Sequence, residues 1–589
     1  MNYGSKAFAQ GVIKEITKKC TEDNLIVIEI DIFLIPHLEA EQEDEFEAMI
    51  QGEDVIIITS EGGGGLRAQS ETLGFRLASQ IMEREESKRA EILKSLFARR
   101  GSDEKVKGGK SGESKLEWRQ QLNDQQQETI ENWLNEGAGR VHFQQAPPGT
   151  GKTRVAAACI AAIVHQNPDC AVLATSGSNL PVSKLTEEAA RTLPDQDMIA
   201  FFSEKIEKHP KQAAERKVGA VLQKTEFRNV VFATIHMALS IPGAHVSTTH
   251  LVVDEVTQVS FTSMVHLLCQ MPNVASVLLT GDRRQIGTHL NDLPDLIHEG
   301  FGLESLTTQI QHCPRISTTT LIYCYRAHPT LVQCFDYASY RQHNERVIPA
   351  IEATERRGLT DLGINLPVSD IPLILLNICG HTEIDPASFS IENPEQTVAA
   401  RKIVEIFEKR DPGGTVVICL YSFQAERLKQ SLKEVGLNVP IHTTDAFQAQ
   451  EKKLIVLVTT RTNSTEAPAG NLTSAFLKDS GRATVSISRA QHGMVVIADF
   501  SAISEGEVWR RFIEEASRHT PIVGEKYLDL MEIENPSRGA GGVLQDKRGW
   551  TIQAAMAEPR QQKVQQGRGG RKCMRCGGFG HLTTDCRRN

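Results

Sequence analysis

Gln144-Gln145-Ala146-Pro147-Pro148-Gly149-Thr150-Gly151-Lys152-Thr153-Arg154 is the stretch whose reading decides the fold. The apolar run Val141 to Phe143 enters it like a buried strand, and Val155 to Val164, rich in Ala and Ile, leaves it like a helix. A loop of this composition between strand and helix is a phosphate-binding loop. Gly149 and Gly151 let backbone N–H groups close around phosphate oxygens at the positive end of the helix, while Lys152 adds a full charge and Thr153 a hydroxyl for Mg2+. Pro148, Thr150 and Arg154 fall within the same cradle. Ala146 stands at the first position, where glycine is usual; this removes some freedom at the start of the turn and none of the charged groups. A glycine-rich turn without a ligand is the bland alternative, and it does not account for the strand and helix on either side. Nucleoside triphosphate binding is implied.

Around this loop lies a chain of 589 residues, too long for one core; at ~150 residues per domain it suggests about four units. Apolar and charged fractions of 40% and 24% are those of ordinary globular proteins, and no apolar stretch reaches the roughly eighteen residues of a membrane span. Met1 to Gln10 carries no signal-peptide core, which points away from secretion. Of twelve cysteines, nine are scattered, many in apolar surroundings such as Cys159, Cys269 and Cys419, as suits a reducing cytoplasm or nucleus. The net charge of −9 argues against a nucleic-acid binder until its distribution is read. From Arg560 to Asn589 eight Lys or Arg face one acidic residue, a net +7, leaving −16 on the rest.

Before the loop, Val/Ile-rich runs at Leu25 to Ile32 and Asp54 to Thr59 read as strands of a small β unit. From Leu73 to Arg100 apolar residues recur at helical spacing among many charges, predicting a long exposed helix or helical pair, followed by a Gly/Lys/Ser linker at 101–112. After the loop, strand runs alternate with helical stretches, as in a parallel α/β sheet. Strands are predicted at Ala171 to Thr175, Val230 to Ala233, Leu251 to Val253 and Val277 to Thr280, each ending in polar residues where such a sheet collects its ligand-binding groups. The third ending is Asp254-Glu255. An isolated acidic pair is usually solvated surface, but a phosphate loop requires a Mg2+ partner and a group to direct water, and Asp254 suits the metal and Glu255 the water. The fourth ending supplies Gln285, whose amide can bond both water and phosphate.

Taken together and in this order, these residues strongly resemble superfamily 1 helicases of the nonsense-mediated-decay type, the group that also includes senataxin. Leu122-Asn123-Asp124-Gln125-Gln126 matches the family's adenine-recognition motif, and Ala146 to Thr153 its motif I. Ser178-Asn179 falls in motif Ia, Asp254 to Gln258 is similar to motif II, and Gly281 to Gln285 to motif III. Tyr325-Arg326-Ala327-His328-Pro329 looks like motif IV, Asp445 to Glu451 like motif V, with Ala449 where glycine is common, and Arg482 to Arg489 like motif VI. The resemblance implies that Gln126 reads adenine, Tyr325 stacks on it and Glu451 bonds the ribose. It further implies that Arg326 and Arg489 stabilise charge on the transferred phosphoryl group when two RecA-like domains close. Strand runs at Leu373 to Leu376, Val416 to Leu420, Leu454 to Val458 and Met494 to Ala498, without a second phosphate loop, fit the second of those domains.

The expected architecture is α/β: a small, barrel-like β domain over 1–70, a helical stalk and linker over 71–118, and RecA-like parallel-sheet domains over 119–310 and 311–525. A flexible basic linker over 526–571 and a zinc knuckle over 572–589 complete it. The knuckle is read from Cys573-x2-Cys576-x4-His581-x4-Cys586, three thiolates and an imidazole at zinc-ligand spacing in a segment too short for a core of its own. Phe579 within it can stack on an unpaired base. Residues 180–228 read either as a reduced version of the family's insertion in the first RecA-like domain or as a plain helix pair.

The expected activity is that of an ATP-dependent helicase or translocase using ATP, Mg2+ and Zn2+ on single-stranded RNA or DNA. By resemblance it moves 5′ to 3′, with Ser178, Asn179, Thr234 and Thr444 contacting the strand. An ATP-gated clamp that separates few base pairs is allowed by the same motifs. A nucleic-acid-binding scaffold with a vestigial ATPase would not keep Lys152, Asp254, Glu255, Gln285, Arg326 and Arg489. A small-molecule kinase would need neither two arginine motifs nor a zinc tail.

Overall fold

The computed structural model describes residues 77–97, 122–135, 138–193, 198–201, 229–240, 245–287, 305–310, 313, 315–463 and 477–546, and the backbone of 9–17 and 27–34. The described residues fall into two compact units. The first takes those up to Glu355 together with Gln448–Glu451 and Ser480–Arg489; the second takes Arg356–Phe447, Lys452–Asp479 and the chain from Ala490 on.

The first unit is built on a seven-stranded sheet. Its strands in chain order are β1 Arg140–Gln145, β2 Val172–Ser176, β3 Met198–Phe201, β4 Val230–Thr234, β5 His250–Val253, β6 Ser276–Gly281 and β7 Ser317–Thr320. They lie in the order β3-β4-β2-β5-β6-β1-β7, every pairing parallel. Alternation along the strands divides the core. Val141, Phe143, Leu251, Val253, Val277 and Leu279 pack on one face, and Val172, Ala174, Val252 and Leu278 on the other, which explains why these strands read as continuous apolar runs. The Lys152–Gln166 helix covers the second face with an almost unbroken buried run from Val155 to Val164, its alanines allowing close approach.

Three sequence expectations are corrected here. The stretch read as an exposed helix or helical pair is a pair, over residues 77–84 and Lys88–Phe97, exposed on one face and buried on the other. Ala90, Ile92, Leu93 and Leu96 are buried in the same cluster as Val141 and Phe143, and Phe97 meets Phe261 edge-on at 5.1 Å. Secondly, β7, placed by the sequence at the start of the second domain, pairs with β1 in the first sheet. Thirdly, the described part of the stretch read as a flexible linker from residue 526 to 571, residues 526–546, is built into the second unit. Tyr527, Leu530, Met531 and Leu544 join the second core, and the Asn365 amide holds the carbonyls of Leu530 and Ile533, both at 2.8 Å.

Near the N-terminus, Ala9–Thr17 and Val27–Leu34 form an antiparallel ladder. The first of these strands is not evident from sequence, because a register shift between Ile13 and Glu15 breaks its alternation. The Asp54 to Thr59 run and most of 180–228 that could hold an insertion lie outside the described residues.

The second unit has a six-stranded sheet. Its strands are β8 Leu373–Asn377, β9 Thr415–Cys419, β10 Ile441–Thr443, β11 Lys452–Val458, β12 Ala490–Ala498 and β13 Ile522–Gly524. The order is β10-β9-β11-β12-β8-β13, again parallel throughout. Both sheets therefore carry their loop-borne polar residues at the carboxyl ends of parallel strands, as the sequence predicts.

Candidate active site

β1 runs straight into the phosphate loop. The Ala146 N–H donates to the Gly281 carbonyl at 2.8 Å, adding a rung to the β1–β6 pairing, so the chain at Ala146 is still strand-like and needs no glycine there. Gly149 and Gly151 are another matter, with φ of +75° and +85°. A Cβ on Gly149 would lie 2.5 Å from the Arg326 Cβ, and one on Gly151 2.7 Å from the Gln126 Nε2. Conformation and space both demand glycine at these positions. Gly151 then starts the Lys152–Gln166 helix, whose first amides have no intrahelical acceptor and are aimed at the loop.

β5 delivers the acidic pair. Asp254 is buried, accepting from the Thr153 Oγ1 at 2.8 Å and from the Glu255 amide at 2.9 Å. Burial pushes its carboxyl up to about 6, against the pull of Lys152. Glu255 takes a left-handed backbone, φ +49°, and forms an ion pair with Lys152. Burial alone would raise its pKa; Lys152, then Arg489 and Arg326, outweigh burial and hold it below the usual carboxylate range. One Glu255 oxygen, Oε2, is buried with no partner. A desolvated carboxylate oxygen is costly unless something polar meets it, so this atom fits a water or a metal-bound ligand group.

β6 ends in Gly281 and is followed by Asp282 and Gln285. Gln285 donates from Nε2 to Asp282 at 3.0 Å and accepts at Oε1 from the Arg489 Nη2 at 2.6 Å. Arg489 is fully enclosed; burial, and then Arg326 beside it, pull its guanidinium down to about 10, so it stays charged at neutral pH. Arg326 forms an ion pair with Glu451 and donates to the Ser488 carbonyl at 3.1 Å. The Tyr325 amide donates to the Gly149 carbonyl at 2.8 Å, and its ring, 41% exposed, stands where a base could stack, with its hydroxyl accepting from Asn123 at 2.7 Å. Gln126 donates to the Thr150 carbonyl at 2.9 Å, which ties the adenine-recognition segment to the loop.

These groups line one cavity. Lys152, Arg154, Lys184, Arg326 and Arg489 face Asp254, Glu255 and Glu451 across it, five cations against three carboxylates. The excess of two positive charges complements a magnesium nucleoside triphosphate. The structure thus brings together the sequence-predicted nucleotide residues Pro148 to Arg154, Asp254, Glu255, Gln285, Tyr325, Arg326, Glu451 and Arg489.

The expected strand contacts are less uniform. Ser178 donates to Gln258 at 2.9 Å, and Asn179 begins the Asn179–Ala189 helix. The Thr234 hydroxyl is used as a helix cap, accepting from the Met237 amide at 3.3 Å. Thr444 is 1% exposed, so its side chain is not on the surface where a strand would lie. Phe579 and the ligand set Cys573, Cys576, His581 and Cys586 lie outside the described residues, among which no cluster suited to a metal ion is found. Sequence reasoning misses Lys184, which lines the cavity and donates to the Ala449 carbonyl at 2.5 Å, because a single lysine on a helix has no signature. It also misses Asp282 and Tyr340, whose hydroxyl donates to that carboxylate at 2.6 Å.

An AAA-domain family profile matches residues 121–288, and a second AAA-domain profile matches 303–501. Two successive stretches of the chain are thus similar to AAA domains. Among curated proteins it resembles the regulator of nonsense transcripts 1 of Dictyostelium discoideum, 24% identical over 48% of this chain and 21% of the relative. It also resembles the regulator of nonsense transcripts 1 homolog of Neurospora crassa, 24% identical over 63% and 36%, and the ATP-dependent helicase upf1 of Schizosaccharomyces pombe, 22% identical over 67% and 46%. The chain thus spans less than half the length of these relatives. Among the described residues no helix is long and apolar enough to cross a membrane.

Proposed function

We propose that the chain hydrolyses ATP to move along or separate strands of nucleic acid, running 5′ to 3′. The observation that carries this reading is Arg489, a buried cation bonded to Gln285 in the cavity floored by the phosphate loop. Lys152, with the loop amides, holds the phosphates, and Lys152, Arg326 and Arg489 stabilise charge as the terminal phosphoryl group transfers to water. Glu255 orients that water and accepts its proton through Oε2, the atom without a partner. Thr153 and Asp254 would hold Mg2+, which when bound offsets charge on the phosphate oxygens. Gln126, Tyr325 and Glu451 take the nucleoside. Coupling to motion follows from connectivity: Glu451 directly precedes β11 and Arg489 directly precedes β12, so displacement of either residue enters the second sheet through the backbone.

Nucleic acid is taken as a single strand, RNA or DNA, at Ser178, Asn179 and Thr234. Cys573, Cys576, His581 and Cys586 form a zinc knuckle whose Phe579 adds a stacking contact, and the protein works in the cytoplasm or nucleus. Zinc content of one ion per chain, lost in Cys576→Ser together with part of the single-strand affinity, checks the knuckle; a zinc-free wild-type chain excludes it.

A second reading, an ATP-gated clamp, is favoured by Ala449, which replaces the common glycine and sits at φ +59°, a strained conformation that restricts the loop joining Gln448 to Glu451. Measuring ATP turnover and strand separation side by side, on RNA and DNA duplexes with 5′ or 3′ overhangs, separates the two readings. Separation from one overhang polarity supports the motor, and stimulated turnover without separation supports the clamp. Near-normal turnover by Lys152→Ala, or by Glu255→Gln, removes both.

A further inference from the structure

Beyond the residues that face the cavity, the first unit contains a buried polar chain that ends on one of them. Asp282 is fully enclosed and receives four hydrogen bonds. Oδ1 accepts from the Gln145 Nε2 at 2.8 Å and the Arg284 amide at 3.0 Å; Oδ2 accepts from the Tyr340 hydroxyl at 2.6 Å and the Gln285 Nε2 at 3.0 Å. The far side of the Gln285 amide accepts from Arg489 at 2.6 Å. An ionised carboxylate only accepts and a guanidinium only donates, so Gln285, caught between them, has a single permitted orientation. Were Asp282 to take up a proton on Oδ2, that oxygen would become a donor, and where it is aimed at Gln285 the amide would have to turn its NH2 toward Arg489, donor against donor.

Tyr340 closes the Pro329–Ser339 helix, is 0% exposed and packs edge-on against Phe335 at 6.3 Å. Its neighbour Ser339 accepts from the Thr484 Oγ1 at 2.8 Å, on the Ser480–Ile487 helix that leads to Arg489. Residues 339 and 340 therefore brace both ends of the Gln285–Arg489 bond.

We propose that Tyr340 is a positioning residue for ATP hydrolysis, fixing through Asp282 the orientation in which Gln285 receives Arg489. This rests on the ATPase reading. Burial pushes the Asp282 carboxyl up, and among the groups that favour its charged form the Tyr340 hydroxyl comes first, followed by the Arg284 amide, Gln285 and Lys152. Tyr340 itself is held protonated well above neutral pH by burial and by Asp282 and Glu345, with Arg489 opposing, so it remains a donor throughout the working range.

The test is Tyr340→Phe in the full chain, with ATP turnover measured from pH 5.5 to 8.5. The expected result is a kcat about tenfold lower at neutral pH with the KM for ATP within about twofold of wild type, as for loss of a group behind a site residue. The acidic limb of kcat should also move to higher pH by about one unit, since the carboxylate has lost its first donor. Asp282→Asn, which cannot ionise, should lower kcat at least as far and leave an acidic limb, set by Asp254, that Tyr340→Phe no longer moves when the two changes are combined; it also serves if Tyr340→Phe does not fold, with thermal melting as the check on both. A folded Tyr340→Phe with wild-type kcat and limb overturns the inference alone. A wild-type chain without ATP turnover overturns the ATPase reading itself, and unfolding of both variants makes Tyr340 a packing group.

Discussion

At the carboxyl ends of β1, β5 and β6 the first sheet gathers Lys152, Asp254, Glu255 and Gln285 around a cavity, whereas among the described residues the corresponding end of the second sheet has several backbone groups held by side chains of the same unit. There the Asn377 side chain accepts from the Phe500 amide at 3.1 Å, and Gln396 accepts from the Thr460 amide at 2.7 Å. Asp499 caps the following helix and takes the Asn463 amide at 3.1 Å, while Asn393 donates to the carbonyls of Cys379 at 2.8 Å and Thr460 at 3.2 Å. Two sheets of one topology class thus spend their polar ends differently. The difference lies in what is left over: in the first sheet a buried carboxylate oxygen, Glu255 Oε2, has no partner, and in the second the carbonyls of Cys379 and Thr460 and the Thr460 amide are claimed by Asn393 and Gln396.

The largest effect that would sharpen this contrast is on the first sheet. Lys152→Ala should lower ATP turnover by at least about a hundredfold, measured by phosphate release, because the cavity loses the loop cation that is ion-paired to Glu255. Next comes pH. His250 on β5 is half-buried, stands edge-on to Trp133 at 6.1 Å, and is pushed down to about 4 by partial burial, with Lys88 adding to the effect. Its folded pKa lies below the unfolded value, so the unfolded chain binds the extra proton; stability is intact above about pH 6.5 and falls as pH drops toward 4, by about 3 kcal/mol in all. Urea unfolding at pH 7 and pH 4.5 should show the loss, and His250→Gln should reduce the difference. Asn393→Ala tests the second sheet: it should cost about 2 kcal/mol of stability by urea titration, from a lost helix cap and two abandoned carbonyls, while kcat stays at the wild-type value. A fall in kcat without loss of stability would mean that the second sheet's end is not merely self-satisfied. The smallest expected effect is that of Ala449→Gly, a gain of about 0.5 kcal/mol as relief of the left-handed alanine slightly exceeds the added chain entropy, together with faster strand separation.

Most of the candidate site's lining is legible in sequence because it is local: a glycine loop, an acidic pair after a strand, a glutamine and two arginines in recognisable surroundings. What is not legible is what holds them. Tyr340 reaches Asp282 across 58 positions of chain, and nothing around residue 340 marks it. Thr444 fails as a surface contact for a related reason, since burial of a hydroxyl at the end of a short strand depends on packing that a motif does not record. The Lys88–Phe97 helix shows the limit of periodicity. Its charges suggest solvent on every side, yet the stripe of Ala90, Leu93 and Leu96 is enough to seat it on the first sheet.

Lys452 and Ala490, the residues that follow Glu451 and Arg489, are partners in the β11–β12 ladder. Two separate stretches of covalent chain therefore leave the nucleotide cavity and are fastened to each other at their first residues beyond it. A load applied to either is shared by its neighbour before it spreads into the sheet. A displacement at the cavity would enter the second sheet through peptide bonds, a path whose stiffness salt, pH and surface mutations should leave untouched.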